Sequence, residues 1–226
     1  MICLAIDTSS RTASVALLQD RDIIYSGFLN DGRTHSEKLM PMVEACFETS
    51  GRDISDVDFF AVVNGPGSFT GVRIGVAAVK GLAHAGGKPV AAVNALDAMH
   101  YGAGLFNGTV CCLVDARNAQ VYAGIYREGG LACPYSASHI NEVLDKLKGF
   151  DGSILFAGCG AAANSEAIAS AIGPCAVFAA DIHPEAAYAG KIAFDYYEKG
   201  LLTDYLNLSP CYIRKSSAER NLESKN

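Results

Sequence analysis

Ile2-Cys3-Leu4-Ala5-Ile6-Asp7-Thr8-Ser9-Ser10-Arg11-Thr12-Ala13-Ser14-Val15-Ala16-Leu17 has a counterpart 108 residues later, Val110-Cys111-Cys112-Leu113-Val114-Asp115-Ala116-Arg117-Asn118-Ala119-Gln120-Val121-Tyr122-Ala123-Gly124-Ile125. Each is a short apolar run ended by Asp, then a polar turn, then a second apolar run. That pattern predicts two strands joined by a turn. The offset holds without a gap from Asp7 and Asp115 through 13–17 and 121–125.

Outward from each pair, the rest of the unit repeats in order. In the first copy a third strand is expected at 22–28, after a turn at Asp20-Arg21. A helix at 36–50 carries Leu39, Val43, Cys46 and Phe47 on one face. A strand at 58–64 is broken by Gly65-Pro66-Gly67, followed by a helix at 70–85, a strand at 90–93 and a short helix. The second copy places a third strand at 131–136, a helix at 139–148 and a strand at 153–157. Gly158-Cys159-Gly160 stands where Gly65-Pro66-Gly67 stood, and a helix at 161–172, a strand at 175–178 and a helix at 184–199 follow.

Both halves therefore read βββαβαβα. Strand–helix–strand connections of this kind imply right-handed crossovers over a sheet. The expected fold is a duplicated α/β protein of the actin/ribonuclease-H-like (ASKHA) plan. It has an N-terminal lobe at 1–103 and a smaller C-terminal lobe plus tail at 104–226, joined near 101–108. The helix at about 184–200 can pack back on the first lobe. In that plan an Asp ends the first strand of each lobe, and nucleotide sits in the cleft between them.

Half of the 226 residues are hydrophobic and only 19 % are charged, which excludes a disordered chain. The net charge of -6 argues against a protein that grips RNA alone, because displacing phosphate counterions needs a basic surface. Eight cysteines lack CxxC spacing and lie mostly in apolar runs, so they read as buried free thiols of a cytoplasmic protein. The start, Met1-Ile2-Cys3-Leu4-Ala5-Ile6-Asp7, has no basic n-region, and no apolar run is long enough to span a membrane.

The chemical motifs are thin. Asp7, Thr8 and Ser9 can approach a phosphate or a Mg²⁺ shell, or can simply form an Asx or ST turn. Gly65 and Gly67 precede a helix and can aim backbone amides at an anion, or form a tight turn with Thr70 as the cap. With Asp115, these make a vestigial phosphate site the functional reading. Neither a Walker loop nor a nucleophile elbow is present. His35, His84, His100, His139 and His183 show no metal-ligand spacing, and no Ser/His/Asp order stands out.

Two helices are unusual. Gly71, Gly75, Ala78, Gly81 and Ala85 form a stripe of small residues on the helix at 70–85, with Val72, Ile74, Val76, Val79 and Leu82 around the rest. The preceding helix spreads Leu39, Met40, Met42, Val43, Ala45, Cys46 and Phe47 over more than one face, and Pro41 should bend it. A layer helix normally keeps one wet face. The alternatives are deep burial by other elements or an apolar surface awaiting a partner.

Asp7-Thr8-Ser9, His35-Ser36-Glu37-x-Leu39-x-Pro41, the run Asn64-Gly65-Pro66-Gly67-Ser68-Phe69-Thr70-Gly71-Val72-Arg73-Ile74-Gly75, Asp115-Ala116-Arg117 and Tyr212-Ile213-Arg214-Lys215 together resemble the bacterial TsaB (YeaZ) family. The glycine-rich run is the most specific, and the resemblance covers essentially the whole chain. It implies a degenerate relative of the TsaD (Kae1-type) threonylcarbamoyltransferase that pairs with TsaD through a helical bundle. It also implies a TsaE-type ATPase in the same assembly, tRNA reached through the complex, and homodimers through the same surface. The family's TsaD partner holds its metal with a histidine pair that this chain lacks. The implied chain is a non-catalytic subunit needing no cofactor alone, with ATP/ADP and metal in the partner subunits or at the joint. The expected contact positions are Leu39, Met42, Cys46, Arg73, Val76, Ala77 and Lys80. The tail, with Arg214, Lys215, Glu219, Arg220, Glu223 and Lys225, can help position the ATPase or RNA, or can be a solvated end. The rivals are an ATP-dependent small-molecule kinase of the same superfamily and a peptidase.

Overall fold

A computed structural model describes residues 1–32 and 34–213. The tail residues from Arg214 onward lie outside the described residues.

The first half forms β1 (Ile2–Asp7), β2 (Ala13–Gln19), β3 (Asp22–Leu29), α1 (His35–Ser50), β4 (Phe59–Gly65), α2 (Phe69–Gly86), β5 (Val90–Asn94) and α3 (Ala95–Gly102). The sheet order is β3-β2-β1-β4-β5. β1 is antiparallel to β2 and parallel to β4, with Ala5 opposite both Ala16 and Ala61. A central strand covered on both faces needs apolar residues at every position, which is why β1 is a continuous run. β2 turns into β3 through Asp20 and Arg21, both at positive φ, as a tight hairpin requires.

The second half forms β6 (Thr109–Asp115), β7 (Gln120–Arg127), β8 (Gly130–His139), α4 (Ile140–Leu147), β9 (Ile154–Ala157), α5 (Cys159–Ala163), α6 (Ser165–Ile172), β10 (Ala176–Ala179) and α7 (Ala186–Glu198). Its sheet order, β8-β7-β6-β9-β10, is that of the first. Even the hairpin recurs: Glu128 and Gly129, at the 108-residue offset from Asp20 and Arg21, both take positive φ. One element departs from the sequence expectation. The single helix expected at 161–172 is two helices, because Asn164 leaves helical geometry and its Nδ2 donates to the Gly160 carbonyl at 2.8 Å.

Each lobe is layered. On one face of the first sheet Leu4, Ile6, Val15, Leu17, Phe60 and Val62 pack against α1 and α2. On the other, Cys3, Ala5, Leu18, Phe59 and Val93 pack against α3 and α7. α3 also turns Leu96 and Met99 toward the second sheet. The last helix of the second half thus covers the first sheet, while the last helix of the first half bridges both.

After α7, residues 201–213 form a strap around the first lobe. Thr203 and Val90 exchange backbone hydrogen bonds of 2.8 Å in both directions, so the β5 edge is capped. Leu208 is buried in the α1–α2 core. The Cys211 amide donates to the Asn64 carbonyl at 2.7 Å, and Asn64 Nδ2 donates to the Ser209 carbonyl at 3.1 Å. All eight cysteines are free thiols; Cys3, Cys46, Cys111 and Cys112 are buried, whereas Cys159 and Cys175 are exposed. Among the described residues no helix is long and apolar enough to cross a membrane.

Candidate functional site

The glycine-rich run between β4 and α2 is a packing device. Ser68, not Thr70, caps α2: its Oγ accepts from the Gly71 amide at 3.2 Å. The Ser68 amide in turn donates to the Ser9 carbonyl at 2.7 Å, and Thr8 Oγ1 donates to the Gly71 carbonyl at 2.7 Å. A Cβ at Gly67 would strike the Ser9 backbone, and one at Gly71 would strike the Thr8 carbonyl. His35, at the start of α1, joins the same knot through Nε2, which lies 2.8 Å from the Ser10 carbonyl.

Most residues of the vestigial phosphate reading lie at this closure. Asp7, Thr8 and Ser9 are fully or almost fully buried, and Gly65 and Gly67 face the Cys211 and Ser9 backbone. The Ser68 amide is spent on the Ser9 carbonyl and the Gly71 amide on Ser68 Oγ, which ties the turn to the start of α2. Asp7 Oδ1 accepts from the Ser9 amide at 2.8 Å, while Asp7 Oδ2 and Ser9 Oγ have no partner. Burial pushes the Asp7 carboxyl up to about 7; Ser9 beside it opposes that, and the nearby Glu185 adds to it. Asp115, its counterpart, is exposed, and its Oδ1 accepts from the Arg117 amide at 2.9 Å. Among the described residues no cluster of three or more His, Cys, Asp or Glu could hold a metal.

The helix phase expected from sequence needs correction. Leu39, Met42, Cys46 and Val76 point into the first lobe's own core and are not available at the surface. The physical reason is that Gly71 and Gly75 meet Thr8, which turns the 71/75/79 and 72/76/83 rows of α2 inward. Ala77 is exposed, and Lys80 is half-buried. Arg73 is exposed but engaged: its guanidinium lies 3.7 Å from the centre of the Phe69 ring, and its Nε donates to Tyr212 Oη at 2.8 Å. Tyr212 itself stacks on Phe69 at 5.3 Å, which anchors the end of the strap beside α2.

The outward face of α2 is nonetheless apolar. Ile74, Ala77, Ala78, Gly81, Leu82 and Ala85 are exposed or half-buried there, and nothing lies within 4 Å of a Cβ built at Gly81. On α1, Met40, at 48 % exposure, and Pro41 are exposed, and Pro41 lies with Glu37 and Ala45 on the side that faces Tyr25, Phe28 and Leu29 of β3. The small-residue stripe of the sequence winds from the core at Gly71 and Gly75 to the surface at Gly81 and Ala85. Met40 and Pro41 are outward positions outside the contact set expected from sequence, and they follow once Leu39 and Met42, three apart on one face, are placed in the core.

A family model described as tRNA N6-adenosine threonylcarbamoyltransferase, TsaD, matches residues 30–205. A Bacillus subtilis protein called tRNA threonylcarbamoyladenosine biosynthesis protein TsaB is 33 % identical over 218 residues, covering 92 % of this chain and 95 % of the relative. The chain belongs to the TsaB family. The solved structure of YeaZ from Pseudomonas aeruginosa superposes with a TM-score of 0.82 at 31 % identity, covering 93 % of this chain and 99 % of the other. The fold reaches further: the activator of the 2-hydroxyisocaproyl-CoA dehydratase from Clostridium difficile, solved with bound ADPNP, shares it at a TM-score of 0.51 and 13 % identity, covering 88 % and 97 %. That likeness concerns architecture alone, and it places the TsaB family on the duplicated α/β plan read from the Asp7 and Asp115 repeat.

Proposed function

We propose that this chain serves in threonylcarbamoyladenosine biosynthesis on tRNA as a subunit without chemistry of its own. It docks a catalytic threonylcarbamoyltransferase of the TsaD type through the outer face of α2. The observation that carries the reading is that α2 is apolar on both sides. Its inner side is spent on the core, and its outer side, from Ile74 to Ala85, is mostly small and aliphatic residues, with Lys80 and His84 as its polar members. Small side chains let a partner helix approach closely, and an apolar exterior of this extent is characteristic of an interface.

The chain requires no cofactor alone in this reading; nucleotide and metal belong to the partner subunits or to the joint, and a TsaE-type ATPase joins the assembly. Its net charge of -6 fits a subunit that meets tRNA through the complex. A second copy can occupy the same face, so homodimer and heterodimer compete. Localisation in the cytoplasm follows from the same reading, with the lobes divided at about residues 103 and 104.

Ala77→Glu tests the proposal. The side chain is exposed in the lone protein, so its thermal midpoint should not change. Burying an unpaired carboxylate against a partner should lower affinity for the transferase by roughly 100-fold or more in a calorimetric titration. Equal affinity for wild type and variant, or undiminished tRNA modification from the remaining components without this chain, would overturn it.

A further inference from the structure

The lobes meet across an apolar seam where Leu96 and Met99 of α3 pack with Val110, Val114, Tyr126 and Leu155 of the second sheet. Apolar contact is non-directional, so such a seam alone allows one lobe to rotate on the other at small cost. One polar constellation stands inside it. Asp97, in the first turn of α3, offers a single oxygen, Oδ1, to two donors: the Tyr126 hydroxyl at 2.7 Å and the Tyr135 hydroxyl at 2.6 Å. The two tyrosines come from neighbouring strands, β7 and β8. Hydrogen bonds to a carboxylate at these lengths are strong and directional.

A third contact runs beside them. His100, one turn beyond Asp97, stacks on Tyr126 with ring centres 4.0 Å apart and 5° between planes. Tyr126 is almost completely buried, and burial together with the Asp97 charge raises both phenols above their ordinary range, which keeps them donors. Burial, and after it the Asp97 charge, also raises the Cys112 thiol of β6 and the Tyr196 phenol of α7. α3 therefore grips β7 by an oxygen and a ring face, and β8 by the same oxygen. Rotation of the second sheet about α3 would break all three contacts together.

We propose that Asp97, with Tyr126 and Tyr135, is a latch that holds the two lobes at one fixed angle, so that this chain works as a rigid body and not as a hinge. The test uses the full chain with spin labels at Glu48 of α1 and Glu142 of α4, both exposed, attached through a ketone-bearing residue so that the cysteines stay untouched. Wild type should give one narrow interlobe distance by double electron–electron resonance. Asp97→Asn, whose amide oxygen still accepts both hydroxyls, should keep it. Asp97→Ala, and independently Tyr126→Phe with Tyr135→Phe, should broaden the distribution toward longer distances while amide exchange in α1 and α2 stays native. The tyrosine pair decides the matter if Asp97→Ala does not fold. A broad wild-type distribution, or variants as narrow as wild type, would overturn the latch.

Discussion

The turn at residues 7–12 and its counterpart at 115–120 begin from the same strand-ending aspartate, yet the first lies buried beneath α2 and the second stands open. What differs is the element that follows the fourth strand of each copy. α2 is long and begins on glycines that reach the Thr8 and Ser9 backbone. α5 is short, ends at Asn164, and its Gly160 packs against Leu113, before the turn begins. The closed turn is free of positive φ. The open one places Arg117, Asn118 and Ala119 there in succession, a conformation costing about 1 kcal/mol or more per non-glycine residue. Duplication preserved the backbone plan while the covering helix decided which copy became core.

The sharpest way to break this contrast is to titrate it. Asp7 has a folded pKa near 7 against an ordinary value of 3.8. Between those values the folded protein holds a proton that the unfolded chain has lost, so stability falls as pH rises from about 4 to about 7. Asp7→Asn should abolish that slope and gain up to about 4 kcal/mol over wild type at pH 8, with no gain at pH 3. Asp115→Asn, at an exposed site, should shift stability by less than about 0.5 kcal/mol at either pH. Urea denaturation across pH reads both, and parallel wild-type and Asp7→Asn curves would refute the buried-acid account.

Next in size is Gly71→Ala. The new methyl group meets the Thr8 carbonyl first, with the His35 ring beside it, so backbone must move, at a cost of about 3 kcal/mol. Thermal unfolding within 1 °C of wild type would show that the turn is not held by close approach. A smaller gain is expected in the open turn, where Ala119→Gly should stabilise by about 1 kcal/mol by relieving its left-handed strain. Equal or lower stability on denaturation would mean that the strain is offset locally.

The element order and the paired aspartates were legible because a strand buried on both faces must be apolar throughout, and the run after Asp7 repeats after Asp115 at a constant offset. The orientation of α2 was not. With Val72, Ile74, Val76, Val79 and Leu82 around the helix, periodicity cannot tell a face bound for the core from one bound for a partner. The contact that decides it, Gly71 and Gly75 against Thr8, joins residues more than sixty positions apart. Leu39, Met42, Cys46 and Val76 are therefore expected outward from sequence, and Met40 and Pro41 fall outside the expected contact set. The strap was equally hidden, since its grip on Val90 and Asn64 is made by backbone groups that every sequence carries. The break at Asn164 depends on one side-chain bond to Gly160 that composition does not announce.

The return of α7 to the first sheet has a consequence for biosynthesis. The face formed by Cys3, Ala5, Leu18 and Phe59 has only α3 to cover it until residues 186–198 have left the ribosome, and the β5 edge stays bare until Thr203 follows. The N-terminal lobe, although translated first, is thus completed last. A nascent chain of this kind carries oily strands and an unpaired edge through most of its synthesis, a condition that favours chaperone capture and penalises pauses late in the message.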